Sequence, residues 1–263
     1  MLALKLVLVP VFLLLVSMSG KWWGPKAAGW LAGFPVVAGP ILWLLALERG
    51  ADFAAQAALL SASAILASES FNCAYAWTCR SAAWPAALSA GLAAWFAAAL
   101  GLARLPVGLA WAAGAAAVAV VAAQRLLPRS DVVPTGMPLR RGDLALRMAA
   151  GAILTLAVTG LSSALGPRWS GLLAVFPLLG IVLSVASQRA YGPGFVIALL
   201  RGMVLGRFSF AAFCLSLAVL LPRHGITWAF TASLALSMLV QWAVRIVSMA
   251  APTAQEPRSP HQA

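Results

Sequence analysis

One acid lies inside an apolar run of this chain. Glu69 sits about three residues from the centre of the stretch 53–78, flanked by Ser68, Ser70 and Asn72. An ionisable side chain at the middle of a bilayer costs roughly 2.5–3.5 kcal/mol on translocon scales, so Glu69 is not expected to face lipid alone. Protonation or a basic partner lowers that cost. The apolar stretch 195–221 supplies two bases, Arg201 and Arg207. A carboxyl group paired with a guanidinium inside a membrane can act as a proton or cation carrier, its charge screened in turn by the base and by the transported proton. The structural alternative puts Glu69 nearer the surface, with Arg207 snorkelling to the headgroups. Ser61, Ser68 and Asn72 fall on one helical face with Glu69, where they line a pathway or bond to neighbouring carbonyls.

Composition sets the medium in which this chemistry would occur. The 263 residues are 63% apolar and only 9% charged, against roughly 45–50% and about 25% in soluble domains. So little polar surface cannot cover a water-soluble globule, and the chain reads as an integral membrane protein with the lipid bilayer as its surroundings. Its net charge of +12 is spread singly over short loops, without a basic stripe. That distribution argues against nucleic-acid binding and for setting orientation in a membrane.

Other chemistries find no residues. Cys73, Cys79 and Cys214 form no CxxC pair, and His224 and His261 lie far from any ligand cluster. No metal, haem or disulfide framework is expected, and the cysteines read as small packing residues. No nucleophile–base set occurs, so an enzyme is not expected, and no cofactor is implied.

An apolar helix of roughly 20 residues crosses a bilayer. Nine such spans are predicted, near 4–19, 26–47, 53–78, 82–102, 106–123, 146–165, 168–188, 195–221 and 226–249. Gly and Pro punctuate the joints, and Trp22, Trp23, Trp77, Trp84, Trp169 and Trp228 cluster near span ends as an interfacial belt requires. On this path one side receives Lys5, Arg49, Arg104, Arg168 and Arg223. The other receives Lys21, Lys26, Arg80, Arg125, Arg129, Arg140, Arg141, Arg147, Arg189, Arg245 and Arg258. The richer side is cytoplasmic by the positive-inside rule, so the expected protein is a multi-pass bacterial inner-membrane protein with its N-terminus outside and C-terminus inside. The first span lacks an A-x-A site near Ser17 to Gly20 and is expected to be permanent. The segment 124–147 reads as a cytoplasmic linker, and the polar tail 251–263 as disordered.

A motif occurs twice. Gly24-Pro25-Lys26-Ala27-Ala28-Gly29-Trp30-Leu31-Ala32-Gly33-Phe34-Pro35 overlies Gly166-Pro167-Arg168-Trp169-Ser170-Gly171-Leu172-Leu173-Ala174-Val175-Phe176-Pro177, an offset of 142 residues. The same offset carries Phe53 onto Phe195 and puts Arg207 over Ile65, one turn from Glu69; a slightly larger one carries Trp84 onto Trp228. An ordered pattern of this kind indicates a tandem duplication. Residues 1–104 form one four-span copy and 146–250 the other, with 105–145 holding a linking span and the linker. One extra crossing inverts the second copy, the arrangement of many secondary transporters.

Within each motif, Gly24-Pro25 and Gly166-Pro167 suit a helix start, and Pro35 and Pro177 interrupt the helix ten residues later. Gly29 and Ala32, with Gly171 and Ala174, allow a neighbouring backbone to approach. Such breaks either line a solute cavity or serve packing alone. Lys26 and Arg168 act as interfacial anchors or as a cationic mouth for an anion. The four-span unit, with its small residues and Phe-Pro second helix, resembles short bacterial inner-membrane proteins of uncharacterised function over some 90 residues per copy. The resemblance implies the architecture and no activity.

The expected fold is therefore an all-α polytopic bundle of two inverted four-span repeats joined by one span. The expected function is secondary transport of a small solute, an anion among the candidates, by alternating access between the repeats, with Glu69 the candidate for proton coupling. The alternative is a non-catalytic assembly factor or transporter subunit, with a second copy or another membrane protein as partner.

Overall fold

The computed structural model describes residues 2–35, 38–105, 108–130, 141–164 and 176–250. Every regular element among them is an α-helix. In chain order these are α1 (Leu2–Trp23), α2 (Pro25–Ala32), α3 (Ala38–Arg49), α4 (Ala51–Ser63), α5 (Ile65–Thr78), α6 (Trp84–Leu102), α7 (Leu109–Leu126), α8 (Arg141–Ala164), α9 (Leu178–Leu220) and α10 (Ile226–Ala250). Five segments are long and apolar enough to cross a bilayer: Ala51–Thr78, which joins α4 and α5, then α6, α7, α9 and Ile226–Val247 of α10. Val7–Trp23 of α1 is apolar but shorter. The chain is a helical membrane protein.

The element bounds depart from the predicted spans in ways that backbone chemistry explains. The stretch 26–47 is two short helices, because α2 closes at Gly33, just ahead of Phe34-Pro35, and α3 starts at Ala38. Proline has no N–H to give the preceding turn. The joint expected between the spans 168–188 and 195–221 is present: α9 leaves helical geometry at Gly192 and divides into limbs 178–191 and 193–220, while 168–175 lie outside the described residues. The predicted linker 124–147 is helical at both ends, since α7 runs to Leu126 and α8 starts at Arg141. Its central part, 131–140, and the tail 251–263 lie outside the described residues.

Three glycines make the sharp joints. Gly24, Gly50 and Gly192 hold φ of 85°, 91° and 79°, with ψ of 174°, 166° and 179°. That region is essentially open to glycine alone. Helical bonding runs through the joint: Gly50 N–H closes α3 on Ala46 O while Gly50 O accepts from Ala54 N of α4. Nothing lies within 4 Å of a Cβ built on Gly50 or Gly192, so alanine there meets a backbone penalty without a clash. Gly50→Ala and Gly192→Ala should each cost about 1–3 kcal/mol, read as a lowered melting temperature of the detergent-solubilised protein. Unchanged melting would mean that these joints relax freely.

The 142-residue offset recurs in these joints. It carries Gly50 onto Gly192, the ends of α3 and α5 at Arg49 and Thr78 onto Tyr191 and Leu220, and the start of α6 at Trp84 onto Ile226 of α10. Helix starts thus follow the constant offset; the shifted match of Trp84 with Trp228 does not mark them. Pro35 O accepts from Gly39 N, and at the same offset Pro177 O accepts from Ile181 N.

Contacts between the two halves are reciprocal. Phe71 of α5 packs near Gly180 at the start of α9, and Phe213 of α9 packs against Gly39 of α3. The offset carries Phe71 onto Phe213 and Gly39 to within one residue of Gly180. In the α1–α8 pair, Arg147 bonds Ser17 while Gly151 abuts Leu13 and Val9, so these two helices run antiparallel.

The closest approach is between α2 and the second limb of α9. Gly29 and Gly33 face Gly202 and Gly206 backbone to backbone: a Cβ on Gly206 would stand 2.6 Å from Trp30 O and 2.7 Å from Gly33 Cα. Two G-x3-G faces thus cross in direct contact, running in the same direction. Around this crossing lies the larger apolar core, with Phe12, Leu13, Phe71, Tyr75, Trp95, Leu199 and Met203 buried.

Candidate functional site

Arg207 follows Gly206, and so the α2–α9 crossing holds the start of its side chain in place. Across from it, α5 begins at Ile65 after a break at Ala64 and presents Glu69 one turn later. Arg207 Nε donates to Glu69 Oε1 at 3.0 Å, and Asn72 Nδ2 donates to Glu69 Oε2 at 2.9 Å. Both carboxylate oxygens are therefore satisfied, and Glu69 is only 2% exposed. The guanidinium also lies 5.6 Å from the ring centroid of Phe210. One partner comes from each half of the chain.

The other predicted pathway residues are placed differently. Arg201 does not join Glu69; its Nη1 donates to Leu127 O at 2.8 Å, where it caps the carbonyl end of α7. A helix C-terminus offers unpaired carbonyls and partial negative charge, and six residues of α9 carry Arg201 away from Arg207. Ser68 is buried next to Glu69 without bonding to the Glu69–Asn72–Arg207 set. Ser61 returns its hydroxyl to Ala57 O at 2.8 Å, a local helix bond.

The helix-break motif is partly visible. Gly24 and Pro25 start α2, with Pro25 at its first position. Lys26 is exposed, its carbonyl against Gly202. Phe34 and Pro35 border an apolar cleft of about 620 Å³ shared with Trp43, Phe213 and Phe230. Phe176 packs edge-on against Trp95 with centroids 5.0 Å apart, and Pro177 caps α9. Gly166, Pro167 and Arg168 lie outside the described residues. The pair at Glu69 does not border the cleft.

No family model, curated protein or solved structure matches this chain. Its own geometry must carry the reading.

Three features escaped the sequence reading. Gly202-x3-Gly206 is a close-packing signal inside an apolar helix, visible in retrospect by its spacing. Ser233, Ser237 and Gln241 recur every four residues on α10 and are all buried; the two serine hydroxyls and Gln241 Oε1 have no hydrogen-bond partner. Gln241 Nε2 reaches Trp30 O at 3.4 Å, beside the α2–α9 crossing. Finally, charge distribution places Arg147 among the cytoplasmic loop charges, but it is 3% exposed. The helix starts at Arg141, earlier than the predicted span, and so draws Arg147 into the packed face of α8 against Ser17 of α1.

No group of His, Cys, Asp and Glu among the described residues could hold a metal ion. What the site offers is one exchangeable proton position. A carboxylate with both oxygens bonded gains nothing further while paired; if Arg207 withdraws, it must take up a proton or another cation.

Proposed function

We propose that this protein is a proton-linked secondary transporter of a small solute, working through two inverted repeats. The observation that carries the reading is the buried Glu69–Arg207 pair, contributed by opposite halves of the chain. On this reading the halves 1–104 and 146–250 are related by a two-fold axis in the membrane plane. Reciprocal contacts support that relation, as does the antiparallel run of α1 and α8, which overlap at the 142-residue offset. α2 and α3 together make one crossing and the two limbs of α9 contribute to two, giving nine, with the N-terminus outside and the basic side in the cytoplasm.

Rocking one repeat against the other separates Glu69 from Arg207. The freed carboxylate then binds a proton, and re-pairing expels it. Solute movement is tied to that cycle because the unpaired, unprotonated state is the costly one.

The test uses the full chain in liposomes loaded with a pH-sensitive dye. Gradients of chloride, gluconate or phosphate are imposed in turn, and internal pH is followed against protein-free liposomes. At least one gradient should drive proton movement in the wild type and none in Glu69→Gln, with the variant still monodisperse. Equal proton movement in wild type and variant would remove Glu69 from the coupling.

A further inference from the structure

The Glu69 pair leaves a second buried cation unexplained. Arg147 donates from Nη1 to Ser17 Oγ at 3.2 Å, but its Nε and Nη2 are buried with no hydrogen-bond partner. Asp143, one turn earlier in α8, makes no ion pair with it. The ring of Tyr191 lies 5.9 Å from the guanidinium carbon, and the Tyr191 hydroxyl is itself buried without a partner. These groups face one small cavity of about 20 Å³ between α1, α2, α8 and both limbs of α9, which Lys21 and Ser187 also line.

Each of these facts points to the same kind of occupant. A buried guanidinium with no carboxylate within ion-pair distance is costly, and Asp143 acts on Arg147 only without contact. The unpartnered polar atoms around the cavity are all donors: two guanidinium nitrogens and the phenol hydroxyl, with the exposed ammonium of Lys21 at its edge. No carboxylate lines it. A site that is cationic and rich in donors binds an anion. Volume limits which one, since about 10–15 Å³ on this measure holds one water. A monatomic anion fits; a tetrahedral oxyanion or an organic acid does not.

We propose that this cavity binds a single halide ion, held by Arg147 and the Tyr191 hydroxyl with Lys21 at its mouth. The ion completes the contact between α1 and α8, and it stands whether or not Glu69 carries transport. Both halves of the chain wall the site, so the ion acts as a structural counter-charge between them.

The test uses the purified full-length protein in an uncharged detergent, at constant ionic strength, with chloride replacing gluconate stepwise. Chloride should raise the melting temperature saturably, by roughly 5–10 °C at about a hundredfold above its Kd. Bromide should do the same, and phosphate should not. In parallel, the chloride-35 resonance should broaden on adding protein and narrow again with bromide. Arg147→Gln should lose both signals, and Tyr191→Phe, which keeps the ring in place, should weaken them at least several-fold. If Arg147→Gln does not fold, the wild type and Tyr191→Phe still decide. Equal stabilisation by chloride, phosphate and gluconate, or broadening unchanged in Tyr191→Phe, would overturn the assignment.

Discussion

Gly206→Leu should prevent the protein from reaching its native packing. A Cβ at this position stands 2.6 Å from Trp30 O and 2.7 Å from Gly33 Cα, both backbone atoms that cannot rotate away. Overpacking of a tight interior costs about 1–3 kcal/mol where side chains can yield, and more where they cannot. We expect a loss at or beyond the top of that range, seen as aggregation on detergent extraction. Gly101→Leu is the control, because nothing lies within 4 Å of a Cβ built there and it sits in an equally apolar helix. Gly206→Ala should fall between the two. Normal yield and melting for Gly206→Leu would show that α2 is not seated on α9 as described.

Arg207→Met should cost about 3–5 kcal/mol, the usual result of removing one partner from a buried ion pair. The loss has a specific origin. Glu69 would keep its Asn72 bond but lose its counter-charge while remaining buried. Removing both charges avoids that penalty, so Glu69→Met combined with Arg207→Met should be far more stable than Arg207→Met alone, and close to wild type. Melting of the four proteins in detergent gives the coupling directly. Additive losses would mean that the two side chains do not act on each other. The double variant also separates stability from function: it should fold and yet show no proton movement in liposomes.

Much of the architecture was written in local chemistry. Apolar runs and Gly-Pro joints marked helices and breaks, because each depends on residues near one another in the chain. Even Glu69, the one buried acid among the described residues, was legible, since a lone carboxylate in an apolar run must find a partner. The errors arose where a long-range contact made the choice. Arg201 and Arg207 look alike in sequence, lying six residues apart on one apolar helix. Only the position of α7 sends the first to the Leu127 carbonyl and leaves the second for Glu69.

Arg147 shows the same division. Charge counting places an arginine at the edge of a predicted span in a loop, since a solvated position is the cheapest for an isolated cation. The structure spends that cost in order to pack α8 on α1, and a contact 130 residues away in sequence cannot be read from either helix alone. The medium, the helices and their breaks were legible in the chain alone, all properties of short windows and of backbone sterics. Which glycine faces cross, which arginine meets Glu69 and which cation is left with open donors were decided by tertiary packing, because those outcomes depend on distances between segments that share no local pattern.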